Sequence, residues 1–215
     1  YIYGIDPASE RDNFALVILE VWPDHRRVVH AWTTTRKRFN DKLKKGIIQE
    51  HQFYGYCARK IRDLMKVFPC EMISMDAEGG GRAVAEALSD VGKMEKGEQP
   101  IWQVIDPEDP KDSDNFSGLH LIKLFNFSDG KAVSEANHGM KKDMEDKSLL
   151  FPRFDAVEIQ LAGEDDNKYE KEHGLSREDT LEDCVTEIED LKEELATIQH
   201  TSTPTGKEHW DTPQV

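Results

Sequence analysis

Three cysteines among 215 residues, Cys57, Cys70 and Cys184, with no two at a CxxC spacing, offer neither a disulfide framework nor a thiolate zinc site. Reduced thiols in a cytosol-like compartment are the expectation. No run approaches eighteen apolar residues, which excludes a membrane-spanning helix. No basic segment precedes an apolar one at the start, so no signal peptide is read. The first residues are already strand-like, and the chain reads as a domain excised from a longer protein. No GxxxxGK[ST] occurs, which excludes a P-loop motor from this stretch. Internal repeats are also absent.

Charge is plentiful but uneven. The net charge of −15 at first argues against a nucleic-acid partner. Residues 155–215 hold 18 acidic and 5 basic side chains, whereas residues 1–154 hold 25 and 23. The acidity is thus mostly C-terminal. The segment RRVVHAWTTTRKRFNDKLKK (26–45) carries eight Lys and Arg against one Asp. It reads either as a solvated hairpin and loop or as a basic strip along a phosphate backbone. In the second reading Arg36, Lys37 and Arg38 face a DNA groove.

Residues 1–5, 14–22 and the run RVVHAWTTT read as three strands rich in Ile, Val, Leu and aromatics. The turn WPDHRR joins the last two, and short links predict an antiparallel meander. Apolar residues at three- and four-residue spacing predict a helix over 49–68. CEMISMD (70–76) reads as a strand, 81–91 as a helix behind three glycines, and IWQVI (101–105) as the next core strand. Helical crossovers make the later strands parallel. Residues 106–115 and 163–174 read as polar stretches, and 119–127 as strand or helix. Residues 131–149 and 180–198 read as helices, the latter amphipathic and packing on the domain. The tail TSTPTGKEHWDTPQV lacks periodicity.

Two carboxylates stand out. Asp6 ends the apolar run YIYGID, and Asp76 ends CEMISMD. A lone Asp after a strand is usually a turn former or a cap. If the two strands are neighbours, both side chains converge on one small volume, within roughly 4–7 Å, and a hard divalent cation with oxygen ligands relieves their repulsion. The glycines at 79–81 lack the spacing of a phosphate loop and suit close backbone approach instead. Glu78 is a weaker candidate ligand.

GIDPASERDNFALVILEV resembles the first strands of the RNase H-like nuclease domain of bacteriophage large terminase subunits, in which a strand-end Asp is followed by Asp-x-x-A opening the second strand. Here that is Asp12-Asn13-Phe14-Ala15. MISMDAEGGGRAVAEAL resembles the second acidic motif of that family. ANHGMKKDMEDKSLLFP (136–152) and EELATIQHTSTPTGKEHWDTP (193–213) resemble later segments, in the same order.

The resemblance implies an α/β fold: an RNase H-like mixed β-sheet, with antiparallel first three strands, then parallel strands, and helices on both faces. It implies one nuclease domain over 1–215 with an acidic helical region at about 155–200. Asp6 and Asp76 match the catalytic, metal-binding pair and Asp12 the auxiliary acid, with Mg2+ or Mn2+, two ions in the intact site, as cofactor. The third family carboxylate is expected beyond Val215, with Asp155, Asp179 and Asp183 as possible substitutes. The implied function is endonucleolytic cutting of concatemeric genome DNA during packaging, in the host cytoplasm. The implied partners are double-stranded DNA, an N-terminal ATPase domain, the portal and the small terminase subunit. Alternatives are another RNase H-like nuclease, such as a Holliday-junction resolvase, or a non-catalytic docking module whose acidic region binds a basic partner.

Overall fold

The alternation of apolar and small or polar residues in the first strand decides the layout of the sheet. In a computed structural model, which describes residues 1–7, 13–173, 179–202 and 208–211, strand β1 spans Ile2–Pro7. Tyr3, Ile5 and Pro7 are buried, while Gly4 and Asp6 are exposed. Strand β2 (Phe14–Val21) runs antiparallel to β1, with Ile5 opposite Leu16 and Tyr3 opposite Ile18. These pairs bury the same face. Strand β3 (Arg26–Thr34) completes the meander.

Strand β4 (Met72–Asp76) runs parallel to β1, in the register Ile2↔Met72 to Ile5↔Met75. Strand β5 is short (Ile101–Gln103), and β6 (Leu119–Phe125) runs parallel to both β4 and β5. A two-residue strand β7 (Leu149–Leu150) pairs parallel with β3. The sheet order is β5-β6-β4-β1-β2-β3-β7. Tyr3, Leu16, Ile18, Ile73, Met75 and Ile122 form its buried face, each at most 1% exposed. Burying one such side chain contributes about 1.5–3 kcal/mol.

IWQVI was expected as a core strand, and residues 119–127 as strand or helix. IWQVI lies at the edge, and LHLIKLF sits between it and β4. The longer run offers seven residues for pairing on two sides, whereas the strand within IWQVI is three residues long.

Helix α1 (Arg36–Lys44) replaces the loop expected in the basic segment. The Thr35 hydroxyl caps it by accepting the Arg38 N–H at 3.0 Å. Its one buried residue, Phe39, packs edge-on to Phe53, which opens helix α2 (Phe53–Met65). Helix α3 (Gly81–Ser89) follows β4. Arg62 of α2 is 6% exposed and donates to the carbonyls of Leu88 and Gln99, tying α2 to the end of α3 and the approach to β5.

Helix α4 (Gly130–Glu145) buries no residue and is capped by the Asp129 carboxylate. The acidic stretch, expected to be helical and poor in core residues, forms helix α5 (Ala156–His173) with no buried side chain among its described residues. Helix α6 (Leu181–Thr197) is amphipathic as expected, with Ile188 fully buried and α5 alongside. The tail forms a hairpin, β8 (Gln199–Ser202) with β9 (Glu208–Asp211). By contacts the chain divides into two units, residues 1–21 with 33–127, and residues 22–32 with 128–215. Among the described residues, no helix is long and apolar enough to cross a membrane. All three cysteines are free thiols.

Candidate active site

Asp6 and Asp76 are brought together. The parallel register that ends at Ile5↔Met75 places them one step further along, at neighbouring positions on adjacent strands. Both alternate with buried residues, Ile5 and Met75, so they lie on the same, less buried face. Adjacent strands run about 4.8 Å apart, so the side chains start side by side.

Asp6 is exposed rather than buried in the strand end. The period-two pattern of a strand turns Asp6 to the face opposite Ile5, where it is exposed and its charge stays in contact with solvent. Its backbone is held from three sides. It pairs with Ala15 on β2, adjoins β4, and precedes Pro7, which restricts it to the extended region. Asp76 is half-buried and opposite Phe125 of β6. Its Oδ1 accepts the Glu78 N–H at 2.9 Å, fixing the carboxylate over the following turn. Glu78 itself is exposed, and only its backbone touches Asp76 in this way.

The three glycines explain how α3 can start so close to this site. Gly79 has φ +58°, a left-handed conformation that suits glycine. A Cβ on Gly80 would overlap the Tyr54 ring, and one on Gly81 would overlap the Asp76 carbonyl. The turn therefore serves close backbone approach, as its spacing predicted.

Asp12 lies outside the described residues; Asn13 is exposed, and β2 opens at Phe14 as the Asp-x-x-A pattern requires. The three possible substitutes for a third acid each have a local structural role. Asp155 Oδ1 accepts the Val157 N–H at the start of α5, at 2.7 Å. Asp179, at φ +56°, accepts the Trp32 indole N–H at 2.6 Å. Asp183 completes a capping box with Thr180 at the start of α6. Among the described residues, no group of three His, Cys, Asp or Glu side chains gathers as a metal site.

Two carboxylates and no nitrogen or sulfur donor make a hard oxygen set, which fits Mg2+ or Mn2+ better than zinc. Such a pair could fill only part of an ion's shell, with water or substrate oxygens completing it.

Several cations of the basic segment have partners within the protein. Arg26 pairs with Asp143 at 3.3 Å. Arg36 stacks over the rings of Phe53 and Tyr54, at 4.8 and 5.1 Å. Lys42 donates to the Tyr56 hydroxyl at 3.1 Å, and Lys37 and Arg38 are exposed on α1. The Arg36 stack joins residues 17 and 18 positions apart and has no local signature in the sequence.

The sheet, with three antiparallel strands followed by parallel ones and helical crossovers, is that of the RNase H-like α/β proteins. A comparison of structures matches it to the large terminase nuclease of thermophilic phage G20c. The match has a TM-score of 0.50 and 11% identity, and covers 99% of this chain and 72% of that one. The likeness is one of fold. No protein-family model matches the chain, and no curated protein matches it in sequence.

Proposed function

We propose that this chain is the nuclease domain of a viral DNA-packaging terminase, a metal-dependent endonuclease that cuts concatemeric double-stranded DNA. The observation that carries this reading is the side-by-side placement of Asp6 and Asp76 at the ends of β1 and β4. The large terminase nuclease of phage G20c has a similar fold. In this reading Asp6 and Asp76 are the catalytic residues and hold Mg2+ or Mn2+, with Asp12 as the auxiliary acid. An ion bound there supplies charge neutralisation for the scissile phosphate and a more acidic water.

The chain's own contribution is preorganisation. Asp6 is fixed by strand pairing on β2 and by Pro7, and Asp76 by the Glu78 amide. Strand pairing and the Glu78 amide restrict the two positions in advance, which lowers the reorganisation needed when substrate arrives. The exposure of Asp6 leaves the site open to a duplex. The partners in this reading are an ATPase domain of the same protein, the portal and the small terminase subunit, in the host cytoplasm.

Cleavage of supercoiled plasmid with added Mn2+ tests the reading. With two carboxylates and the third acid not found among the described residues, the parent is expected to cut weakly, and Asp6→Ala to lose at least about a hundredfold, some 2.7 kcal/mol, of the cleavage the parent shows. Equal cleavage by parent and Asp6→Ala removes Asp6 from the chemistry. Preference for four-way junctions over linear duplex would favour the resolvase reading instead.

A further inference from the structure

Among the described residues, the Arg36 guanidinium is held by aromatic rings, with no ion pair to a carboxylate. Arg36 opens α1 and lies over both Phe53 and Tyr54, with their ring centroids 4.8 and 5.1 Å from its central carbon. Its Nε is buried and has no hydrogen-bond partner among the described residues. Among the described residues, no ion pair to Arg36 is found. Such a group is costly to hold unless something occupies its donors.

The platform beneath Arg36 is rigid. Phe53 packs edge-on to Phe14, Phe39 and Tyr54, so the stack is anchored to the first residue of β2 and to α1. Tyr54 in turn lies against the backbone of Gly80, in a contact that leaves no room for a Cβ. Gly80 belongs to the turn that leaves Asp76. A continuous packed path therefore runs from Asp76 through Gly80 and Tyr54 to the Arg36 guanidinium.

Arg36 also lines a cleft of about 510 Å³, with His51, Gln52, Tyr54 and Lys93 among its walls. The acidic residues of that cleft are partly committed. They are Glu86 and Asp90; Asp90 accepts the Gly92 N–H at 2.8 Å, and Lys93 faces Glu50, outside the cleft, at 3.8 Å. Lys93 donates to Gln52 Oε1 at 2.6 Å. The planar, multiply donating fork left over is Arg36, and such a fork matches a phosphate diester.

We propose that Arg36, held on the Phe53–Tyr54 platform, binds a backbone phosphate of the duplex DNA whose scissile bond lies at Asp6 and Asp76. This rests on the nuclease reading for the identity of the ligand. Arg36 is a positioning residue in it and takes no part in bond breaking.

The test measures binding of the full chain to a fluorescein-labelled duplex by anisotropy over a salt series in EDTA, where no cleavage occurs. Arg36→Gln is expected to weaken binding several-fold and to lower the slope of log K against log salt by about one unit. Arg36→Lys should restore the slope while regaining only part of the affinity, because the charge returns without the stacked fork. Lys37→Gln, an exposed neighbour on the same helix, should change the slope less. If Arg36→Gln leaves affinity and slope at the parent's values, or if Lys37→Gln matches its effect, the anchor is overturned. Should Arg36→Gln fold poorly, Tyr54→Leu removes half the platform and should lower affinity with the slope nearly kept; an unchanged affinity there counts against the proposal. A parent that cleaves nothing but shows the Arg36 slope effect sinks the nuclease reading and leaves the phosphate anchor standing.

Discussion

The sheet with its helices α2 and α3 and the acidic C-terminal region hold themselves together by different means. Residues 1–127 supply all but one of the buried apolar side chains among the described residues; Ile188 is the exception. Helix α4 spans 16 residues and buries none of them. In place of a core, the later region relies on caps at Asp129, Asp155 and Thr180, and on the Trp32–Asp179 hydrogen bond. A candidate site that must hold two carboxylates side by side is built on the first kind of structure. The second kind is expected to open locally at lower free energy.

The sharpest way to break this contrast is to hollow each region in turn. Ile73→Ala, at a fully buried position beside β1, should cost about 2–5 kcal/mol and lower the single global unfolding transition. Ile188→Ala removes an equally buried side chain, yet its loss should appear as faster hydrogen exchange in α5 and α6 with the amides of β1 and β4 unchanged. Equal loss of protection across β1 and β4 would show that the two regions unfold as one.

A smaller effect is expected from the ion pair that locks α2 to the residues before β5. Glu98 takes hydrogen bonds from Arg59, one at 2.9 Å, and these push its carboxyl down to about 2 from an ordinary 4.5. A value depressed on folding adds stability that is complete above pH 4.5 and drains away as pH falls toward 2. Glu98→Gln should cost about 1–3 kcal/mol at neutral pH. It should also flatten the acid limb of a stability–pH profile between those values. An unaltered acid limb assigns that pH dependence to other carboxylates.

Next comes the cap of α6. Thr180→Ala removes the hydroxyl that accepts the Asp183 N–H at 3.1 Å and should cost about 1 kcal/mol, confined to α6. The smallest effects belong to the surface of α4. Its Lys131–Glu135 and Lys141–Glu145 pairs, at 3.8 and 3.7 Å, are exposed. Breaking either should move a chemical-denaturation midpoint by no more than about 0.5 kcal/mol. A larger shift would mean that α4 depends on its ion pairs more than its caps.

The same contrast explains what the sequence made legible. Tyr3, Ile5, Leu16, Ile18, Ile73 and Met75 are apolar because one face of the sheet is covered, and their period of two locates β1, β2 and β4 directly. The candidate pair followed, because Asp6 and Asp76 end two of those strands. Helices α1 and α5 have almost no buried side chains, so no apolar stripe marks them, and their caps at Thr35 and Asp155 were the remaining signals. The place of β6 between β4 and β5 is a tertiary choice that strand-length apolar runs do not order. The Arg36 stack depends on residues 17 and 18 positions apart meeting across two helices, and no local pattern encodes that.

The central claim is that Asp6 and Asp76 act together on one divalent ion. Mn2+ binding followed by electron paramagnetic resonance tests it without requiring turnover. The parent chain should remove free Mn2+ from solution, and Asp6→Asn and Asp76→Asn should each abolish most of that uptake, with the double variant no worse than either. Uptake that survives in both single variants, or losses that simply add, would contradict a shared site.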